Sequence, residues 1–403
     1  MLIKTQEHKT LIQNFGCSLK GVTNKFKGDN FCGLYYDWDK NNKQVLKTSY
    51  FIGACWLEEN QLALQIEPKI KGLDYLTMFL KCFEHPQVSQ KLSDIYQIDF
   101  NQPKIELDSN KFEITPLLII HFLQVMKAIA RKGLKKNYYS VEQNLNAKVK
   151  GKINIGKTLK HNIFKGQNHK TVCHYQEFGI NCAENRLLKK ALKFVQSYLA
   201  KSKIKTEDKL PQTLAYCLAP FELVSDDIEV REMKGFKNNA FFKDYSTALK
   251  LAKMILKRFA YNLQNTNATN QTPPFWIDMS LLFEKYVYAL LLENNEVKYQ
   301  VKGSKKTEVD FLVDDMVVDT KYKTGYGDEY DYKIEDIRQL SGYGRDIKIR
   351  GESGLKEEIA KCLIIYPSEN GKELTGNLWD SAEKIKQFKE FKKIGIQLPP
   401  LNA

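Results

Sequence analysis

The stretch EVDFLVDDMVVDTKYK, from Glu308 to Lys323, predicts a β-hairpin that carries charged residues inside two otherwise apolar strands. The turn-forming pair Asp314–Asp315 separates the strands, so they pair with each other in antiparallel fashion. Residues two apart on a strand share a face, so Asp319 and Lys321 project together, and strand pairing places Asp310 beside Asp319. A face that normally buries valines therefore holds two acids and a lysine.

These three side chains suit one kind of chemistry. Two carboxylates held close together repel each other unless a cation lies between them, and oxygen ligands suit magnesium. A lysine beside bound magnesium orients or deprotonates a water, or neutralises charge that develops on a phosphate. We therefore expect metal-dependent hydrolysis of a phosphodiester at Asp310, Asp319 and Lys321. The alternative is an exposed hairpin edge, where solvated charges are common and Asp-x-Lys occurs by chance.

Helices on either side of the hairpin extend the candidate site. Glu284 interrupts the apolar helix DMSLLFEKYVYALLLE, for which Asp278 or Ser280 is a candidate cap. Glu284 is either a further metal ligand that turns inward or a solvated helix glutamate. Gln339 and Tyr343 are four residues apart on a later helix and share a face, from which they buttress the lysine or contact a DNA backbone. The predicted catalytic set is Glu284, Asp310, Asp319, Lys321, Gln339 and Tyr343, with Asp310, Asp319 and Glu284 as magnesium ligands.

The charge balance of the chain indicates an anionic partner. Its 403 residues include 62 lysines and arginines against 48 acids, a net charge of +14, and the pI is about 9.1. Nucleic acid is the first candidate and a membrane surface the second, while solubility is the alternative explanation. A hydrophobic fraction of 43% indicates a folded globular chain that is long enough for several domains.

Cysteine usage and hydropathy indicate a cytoplasmic location. The eight cysteines form no CxxC pair, so no zinc site is expected and reduced thiols fit best. The start, MLIKTQEHKT, lacks the apolar core of a signal peptide. The longest apolar run, PLLIIHFL, is too short to span a bilayer, so we expect no membrane association through a spanning helix.

The pattern along the chain predicts a multidomain protein. Aromatic and β-branched runs indicate a strand-rich N-terminal domain over residues 1–110, and leucine-rich helical repeats indicate a helical middle region over 111–263. The polar segment QNTNATNQTPP is typical of a linker at 264–274. Residues 275–403 alternate helices and strands, which predicts an α/β domain with a mixed sheet.

One motif in the middle region is rejected as a nucleotide site. GKINIGKT, Gly151 to Thr158, matches the phosphate-loop pattern G-x-x-x-x-G-K-[ST]. A phosphate loop needs a buried strand before it and a packed helix after it, and neither flank supplies the apolar run. We expect instead a basic loop over residues 148–160 that contacts the phosphates of a polymer or an acidic partner.

Four motifs together give the chain a recognisable resemblance. It resembles the PD-(D/E)xK nuclease superfamily, and more narrowly the McrC family of nuclease subunits from McrBC modification-dependent restriction systems. The matching segments are DMSLLFE (278–284), EVD (308–310), DTKYK (319–323) and DIRQLSGY (336–343). Val309 stands where the superfamily has proline, and Thr320 where its Asp-x-Lys has alanine. Thr320 is expected to face away from the site and to be tolerated.

Weaker similarity extends the resemblance upstream. LALQIEPKI (62–70), VKGKI (149–153) and ENRLLKKAL (184–192) are similar to elements of the same family. The resemblance implies a C-terminal restriction-endonuclease-like domain and an N-terminal part that docks on a McrB-like AAA+ motor and stimulates its GTPase. It also implies that the partner, and not this chain, binds GTP, and that the chain cuts methylcytosine-containing double-stranded DNA with magnesium. A stand-alone repair or junction nuclease, and a non-cutting activator of an AAA+ ring, remain alternatives.

Overall fold

The computed structural model divides the chain into two compact units, Met1–Leu117 with Ala268–Ala403, and Leu118–Asn267. In the parts of the chain that the structure describes, no helix has the length and apolar character needed to cross a membrane. The described residues are 1–11, 33–38, 42, 44–89, 94–99, 102–107, 114–201, 209–228, 243–264, 271–304, 307–323, 325–326, 332–352, 354, 359–374 and 376–400.

The strands of the first unit form four sheets, and those of the second unit form one. In chain order the strands are β1 (Leu2–Gln6), β2 (Thr10–Leu11), β3 (Leu34–Trp38), β4 (Gln44–Thr48), β5 (Phe51–Glu58), β6 (Leu62–Glu67), β7 (Tyr96–Ile98), β8 (Ile105–Glu106), β9 (Asn137–Asn146), β10 (Lys152–Ile153), β11 (Lys170–Gly179), β12 (Gln271–Thr272), β13 (Phe275–Asp278), β14 (Val297–Lys302), β15 (Glu308–Val313), β16 (Met316–Thr320), β17 (Lys361–Lys372), β18 (Glu383–Lys384) and β19 (Phe391–Ile396).

The longer helices agree with the helical repeats of the sequence, including the three in the middle region. In chain order the helices are α1 (Tyr75–Glu84), α2 (Pro86–Ser89), α3 (Ile114–Lys132), α4 (Ile155–His161), α5 (Ala183–Lys201), α6 (Lys209–Leu218), α7 (Lys243–Gln264), α8 (Met279–Leu291), α9 (Ile334–Arg345), α10 (Ile347–Glu352) and α11 (Leu378–Ser381).

A strand from the C-terminal part of the chain completes the N-terminal sheet, whose order is β1-β6-β5-β13-β7. Gly53 makes this possible, because a Cβ there would lie 2.0 Å from the Phe275 carbonyl oxygen, and its φ of +144° suits glycine. Asp278 then ends β13 and caps α8 by accepting a hydrogen bond from the Leu281 N–H at 3.0 Å. The N-terminal sheet is therefore directly joined to the helix that contains Glu284.

This arrangement differs from the predicted division into three domains. Residues 1–110 and 275–403 fall within one compact unit, because the β13 strand at the start of the second range pairs with β5 and β7 of the first. Of the predicted linker, residues 271–274 include the short strand β12, which pairs with β8. Residues 265–270 and the boundary at 110–111 lie outside the described residues.

The C-terminal part of the first unit forms the predicted mixed sheet, in the order β14-β15-β16-β17-β19-β18. Strands β14, β15 and β16 are antiparallel neighbours, whereas β16, β17 and β19 run parallel. Helix α8 packs on β14 and β16, and α9 packs on β16 and β17. Ile337 and Leu340 of α9 share a buried cluster with Val317 and Ile364, so the ends of these central strands are held rigidly.

The second unit is only partly helical, which corrects the prediction for the middle region. Its long helices α5 and α7 pack together, but β9, β10 and β11 form an antiparallel sheet beside them in sequence. Strand β9, NYYSVEQNLN, is polar and largely exposed along its length. Because one face of β9 is not covered by an apolar core, its sequence lacks the apolar alternation by which a strand is recognised.

Candidate active site

The hairpin of β15 and β16 brings Asp310 and Asp319 to neighbouring positions, as predicted. Phe311 pairs with Val318 and Val313 with Met316, so the next pair along the hairpin is Asp310 and Asp319. The two strands are joined by a two-residue turn at 314–315, in which the first residue has a left-handed φ of 51°. Local sequence therefore determines which two acids face each other.

Asp310 is held by the residue that the sequence analysis dismissed. The backbone N–H of Thr320 donates to Asp310 Oδ2 at 2.7 Å, and the Thr320 hydroxyl donates to the same oxygen at 2.6 Å. The prediction that Thr320 faces away was wrong, because regular pairing of β15 with β16 ends at Val318 and the Asp310 carboxylate reaches across the next residues. Burial raises the pKa of Asp310 despite both hydrogen bonds.

Asp319 is buried beside Lys321, with which it forms an ion pair. The Asp319 side chain is 4% exposed and that of Lys321 13%. Burial, and then the negative charge of Asp310, raises the pKa of Asp319 to about 7. Burial lowers the pKa of Lys321, but attraction to Asp319 outweighs burial and leaves the pKa above its usual value. Lys321 is therefore an ammonium at neutral pH.

A chain of hydrogen bonds from α9 supports Lys321 on its other side. The Lys321 ammonium donates to Gln339 Oε1 at 3.0 Å, and Gln339 Nε2 donates to the Tyr343 hydroxyl at 2.8 Å. Of the two predicted roles, this geometry corresponds to buttressing the lysine. Because Gln339 uses its oxygen for Lys321 and its nitrogen for Tyr343, the orientation of the amide is determined.

Glu284 turns toward the acids. Its side chain is half-buried, and its Oε1 accepts a hydrogen bond from Gln300 at 3.4 Å. Burial and then the negative charge of Asp310 raise the pKa of Glu284 to about 7. A solvated helix glutamate would show neither effect, so Glu284 belongs to the electrostatic surroundings of Asp310.

The donor set suits a hard cation, although its three acids do not form a closed group. Among the described residues, no three histidine, cysteine, aspartate or glutamate side chains are grouped closely enough to hold a metal ion. Asp319 Oδ2 is buried and, within the described chain, meets Lys321 only as an ion pair, with no donor in hydrogen-bond geometry. A buried oxygen without a donor and two repelling carboxylates are the features that a magnesium ion satisfies.

A neighbouring acid on α9 was quoted within a motif but given no role. Asp336 is 4% exposed and accepts two hydrogen bonds from Lys323, at 2.8 and 2.9 Å, and one from the Tyr326 hydroxyl. Its negative charge contributes to the raised pKa values of both Asp319 and Lys321. The spacing Asp-x-x-Gln on a helix places Asp336 on the same face as Gln339, and this signal was available in the sequence.

The residues of GKINIGKT have structural partners in the second unit. Lys157 forms an ion pair with Glu142, and the Thr158 hydroxyl accepts a hydrogen bond from the Val172 N–H at 3.0 Å. Asn154 caps α4 by accepting from the Lys157 N–H at 3.1 Å. The lysine and the hydroxyl that a phosphate loop would use are thus both engaged, in keeping with the rejection of this motif.

Comparison with known proteins identifies the family. The sequence profile described as McrBC 5-methylcytosine restriction system component matches residues 46–367. A refined half-complex from a tetradecameric assembly of Thermococcus gammatolerans McrB AAA+ hexamers with bound McrC is 14% identical, with a TM-score of 0.36 and coverage of 98% of this chain and 94% of that chain. The T. gammatolerans McrBC complex is 13% identical, with a TM-score of 0.30 and coverage of 74% and 90%. No curated protein sequence matches the chain. Because the profile spans most of its length, the chain belongs to the family of McrBC 5-methylcytosine restriction system components.

Proposed function

We propose that this chain is the nuclease subunit of a McrBC-type restriction system, with a PD-(D/E)xK active site in its C-terminal domain. It hydrolyses phosphodiester bonds of methylcytosine-containing double-stranded DNA with magnesium. The observation that supports this most is the convergence of Asp310, Asp319 and Lys321 at the ends of β15 and β16. Family membership supplies the restriction-system context.

In this proposal the charged side chains have separate tasks. Asp310 and Asp319 would hold magnesium, with Glu284 as a further ligand, and the ion would act as a Lewis acid toward the phosphate. Lys321 stabilises negative charge that develops on the phosphate and orients the attacking water, because its raised pKa keeps it protonated. Gln339 and Tyr343 hold the lysine in position. Thr320 holds Asp310 in the corresponding way.

The proposal includes a McrB-like AAA+ GTPase as partner. In the T. gammatolerans assembly, McrC is bound to McrB hexamers, and membership of a restriction-system component family supports a similar assembly here. GTP would be bound by the partner, whose hydrolysis this chain stimulates.

The test is an Asp319→Asn substitution assayed in the assembled system. Cleavage of methylated DNA is measured with the partner, magnesium and GTP, and is expected to fall by at least about 10³-fold. Asp315→Asn is the matched control, because Asp315 lies in the turn of the same hairpin and pairs with Lys361. GTP hydrolysis in the same reactions reports assembly. Full cleavage by the Asp319→Asn protein would refute the proposal.

Two other outcomes would favour the alternatives. Strong cleavage by the isolated chain without nucleotide would indicate a stand-alone repair or junction nuclease. Stimulated GTP hydrolysis without cleavage of any DNA would indicate a non-cutting activator of an AAA+ ring.

A further inference from the structure

A buried cluster joins the N-terminal sheet to the segment that follows Lys321. Strands β1 and β6 are parallel neighbours, so their C-terminal ends lie at the same edge of the sheet. Glu7 directly follows β1, and Lys69 lies two residues beyond β6. Both side chains meet Tyr322, which is 3% exposed. Residues separated by more than 250 positions therefore come together beside the candidate site.

Lys69 and Glu7 hold Tyr322 at three different points. The Lys69 ammonium donates to the Tyr322 carbonyl oxygen and lies 3.8 Å from the centroid of the Tyr322 ring. The Tyr322 hydroxyl donates to Glu7 Oε2 at 3.3 Å, and the Lys69 N–H donates to the same oxygen at 2.9 Å. The carbonyl, ring and hydroxyl of Tyr322 are thus all engaged by residues of the N-terminal part.

The peptide that Lys69 holds is the one immediately after the catalytic lysine. Strand β16 ends at Thr320, and the Lys321 N–H continues its pairing by donating to the Ile365 carbonyl at 2.9 Å. The next carbonyl, that of Tyr322, receives its hydrogen bond from Lys69. Without that donor, the backbone on the C-terminal side of Lys321 would lose the contact that fixes its direction.

We infer that Lys69 is a positioning residue for Lys321, acting through the Tyr322 peptide, so that the N-terminal sheet sets the orientation of the catalytic ammonium. The inference rests on the proposed nuclease function. Lys69 does so with two contacts, a hydrogen bond to the carbonyl and a cation–π contact to the ring. Methionine has neither, glutamine offers a shorter neutral donor, and arginine retains both kinds of contact.

The test separates turnover from DNA binding in the assembled system. Lys69→Met is expected to lower the single-turnover cleavage rate about 10- to 100-fold, because small displacements of a catalytic group have effects of this size. KM for DNA should stay within about twofold, and Lys69→Arg should restore most of the rate. Lys71→Met is the matched control, since Lys71 is exposed in the turn after the same strand.

Each other result contradicts the inference. An unchanged rate for Lys69→Met would show that the contact does not position Lys321. A raised KM with normal turnover would show that Lys69 binds the DNA backbone directly. If Lys69→Met fails to fold, Lys69→Gln is measured instead, with the same drop in rate expected and an unchanged rate again decisive. If the wild-type complex itself does not cleave, the proposed function fails, and that result differs from normal cleavage by both the wild type and Lys69→Met.

Discussion

One sheet of this protein contains two acid–lysine pairs with the same chemistry and different surroundings. Lys321 and Asp319 lie at the end of the central strand β16, with side chains 13% and 4% exposed. Lys298 of the edge strand β14 pairs with Glu352 at 3.0 Å, and these side chains are 58% and 51% exposed. Water screens the edge pair, whereas the central pair interacts in a low-dielectric environment next to Asp310. Burial, and not residue type, distinguishes a candidate catalytic pair from an ordinary surface contact.

The largest expected effect comes from removing the lysine of each pair in turn. Lys321→Met should lower cleavage of methylated DNA about 10³-fold, because the ammonium that faces the developing charge is lost. Lys298→Met should leave the rate within about twofold, since its charge is solvated. Rates are compared at saturating partner and DNA. Similar losses from both substitutions would break the distinction drawn between the two pairs.

A second buried acid beside a lysine tests whether burial has the predicted effect on stability. Burial raises the pKa of Glu7 from 4.5 to about 7, despite Lys69. The folded state therefore holds the proton more tightly, and this contribution to stability is present below pH 4.5 and lost as pH rises through about 7. Relative to Glu7→Gln, the wild type should lose on the order of 3 kcal/mol of unfolding free energy over this range.

Urea unfolding of both proteins at several pH values measures this difference. Glu59→Gln, in an exposed turn of the same sheet, is the control. A difference between wild type and Glu7→Gln that does not change with pH would show that Glu7 is charged throughout.

A smaller effect is expected from the residues that support Lys321. Gln339→Leu removes the oxygen that accepts from Lys321 at 3.0 Å, so the cleavage rate should fall about 10-fold. Tyr343→Phe removes the next contact in the chain and should lower the rate by about threefold. Single-turnover kinetics measure both. A larger loss for Tyr343→Phe than for Gln339→Leu would show that Tyr343 acts directly on the substrate.

The smallest effect is expected for the stability contribution of the exposed pair. Glu352→Gln should change the free energy of unfolding by no more than about 0.5 kcal/mol, and added salt should reduce even that difference. A loss several times larger would mean that the edge pair is as strongly coupled as the central one.

Much of the candidate site could be predicted because it depends on local periodicity. The two-residue alternation of strands and the short turn at 314–315 are sufficient to place Asp310, Asp319 and Lys321 together. The four-residue spacing of Gln339 and Tyr343 places both on one helix face, and the sheet pairing brings that face to Lys321. The role of Thr320 was missed because the alternation rule assumes regular strand pairing, which ends one residue before Asp319.

The sequence by itself determined the hairpin, its acids and lysine, the main helices and the family resemblance, because each depends on neighbours within a few residues. Only the tertiary structure decided that β13 enters the N-terminal sheet beside Gly53, that β9 and β11 pair although β9 is polar, and that Lys69 reaches Tyr322. These contacts join residues that are far apart in the chain, and their free energy comes from packing and hydrogen bonding that no local pattern specifies.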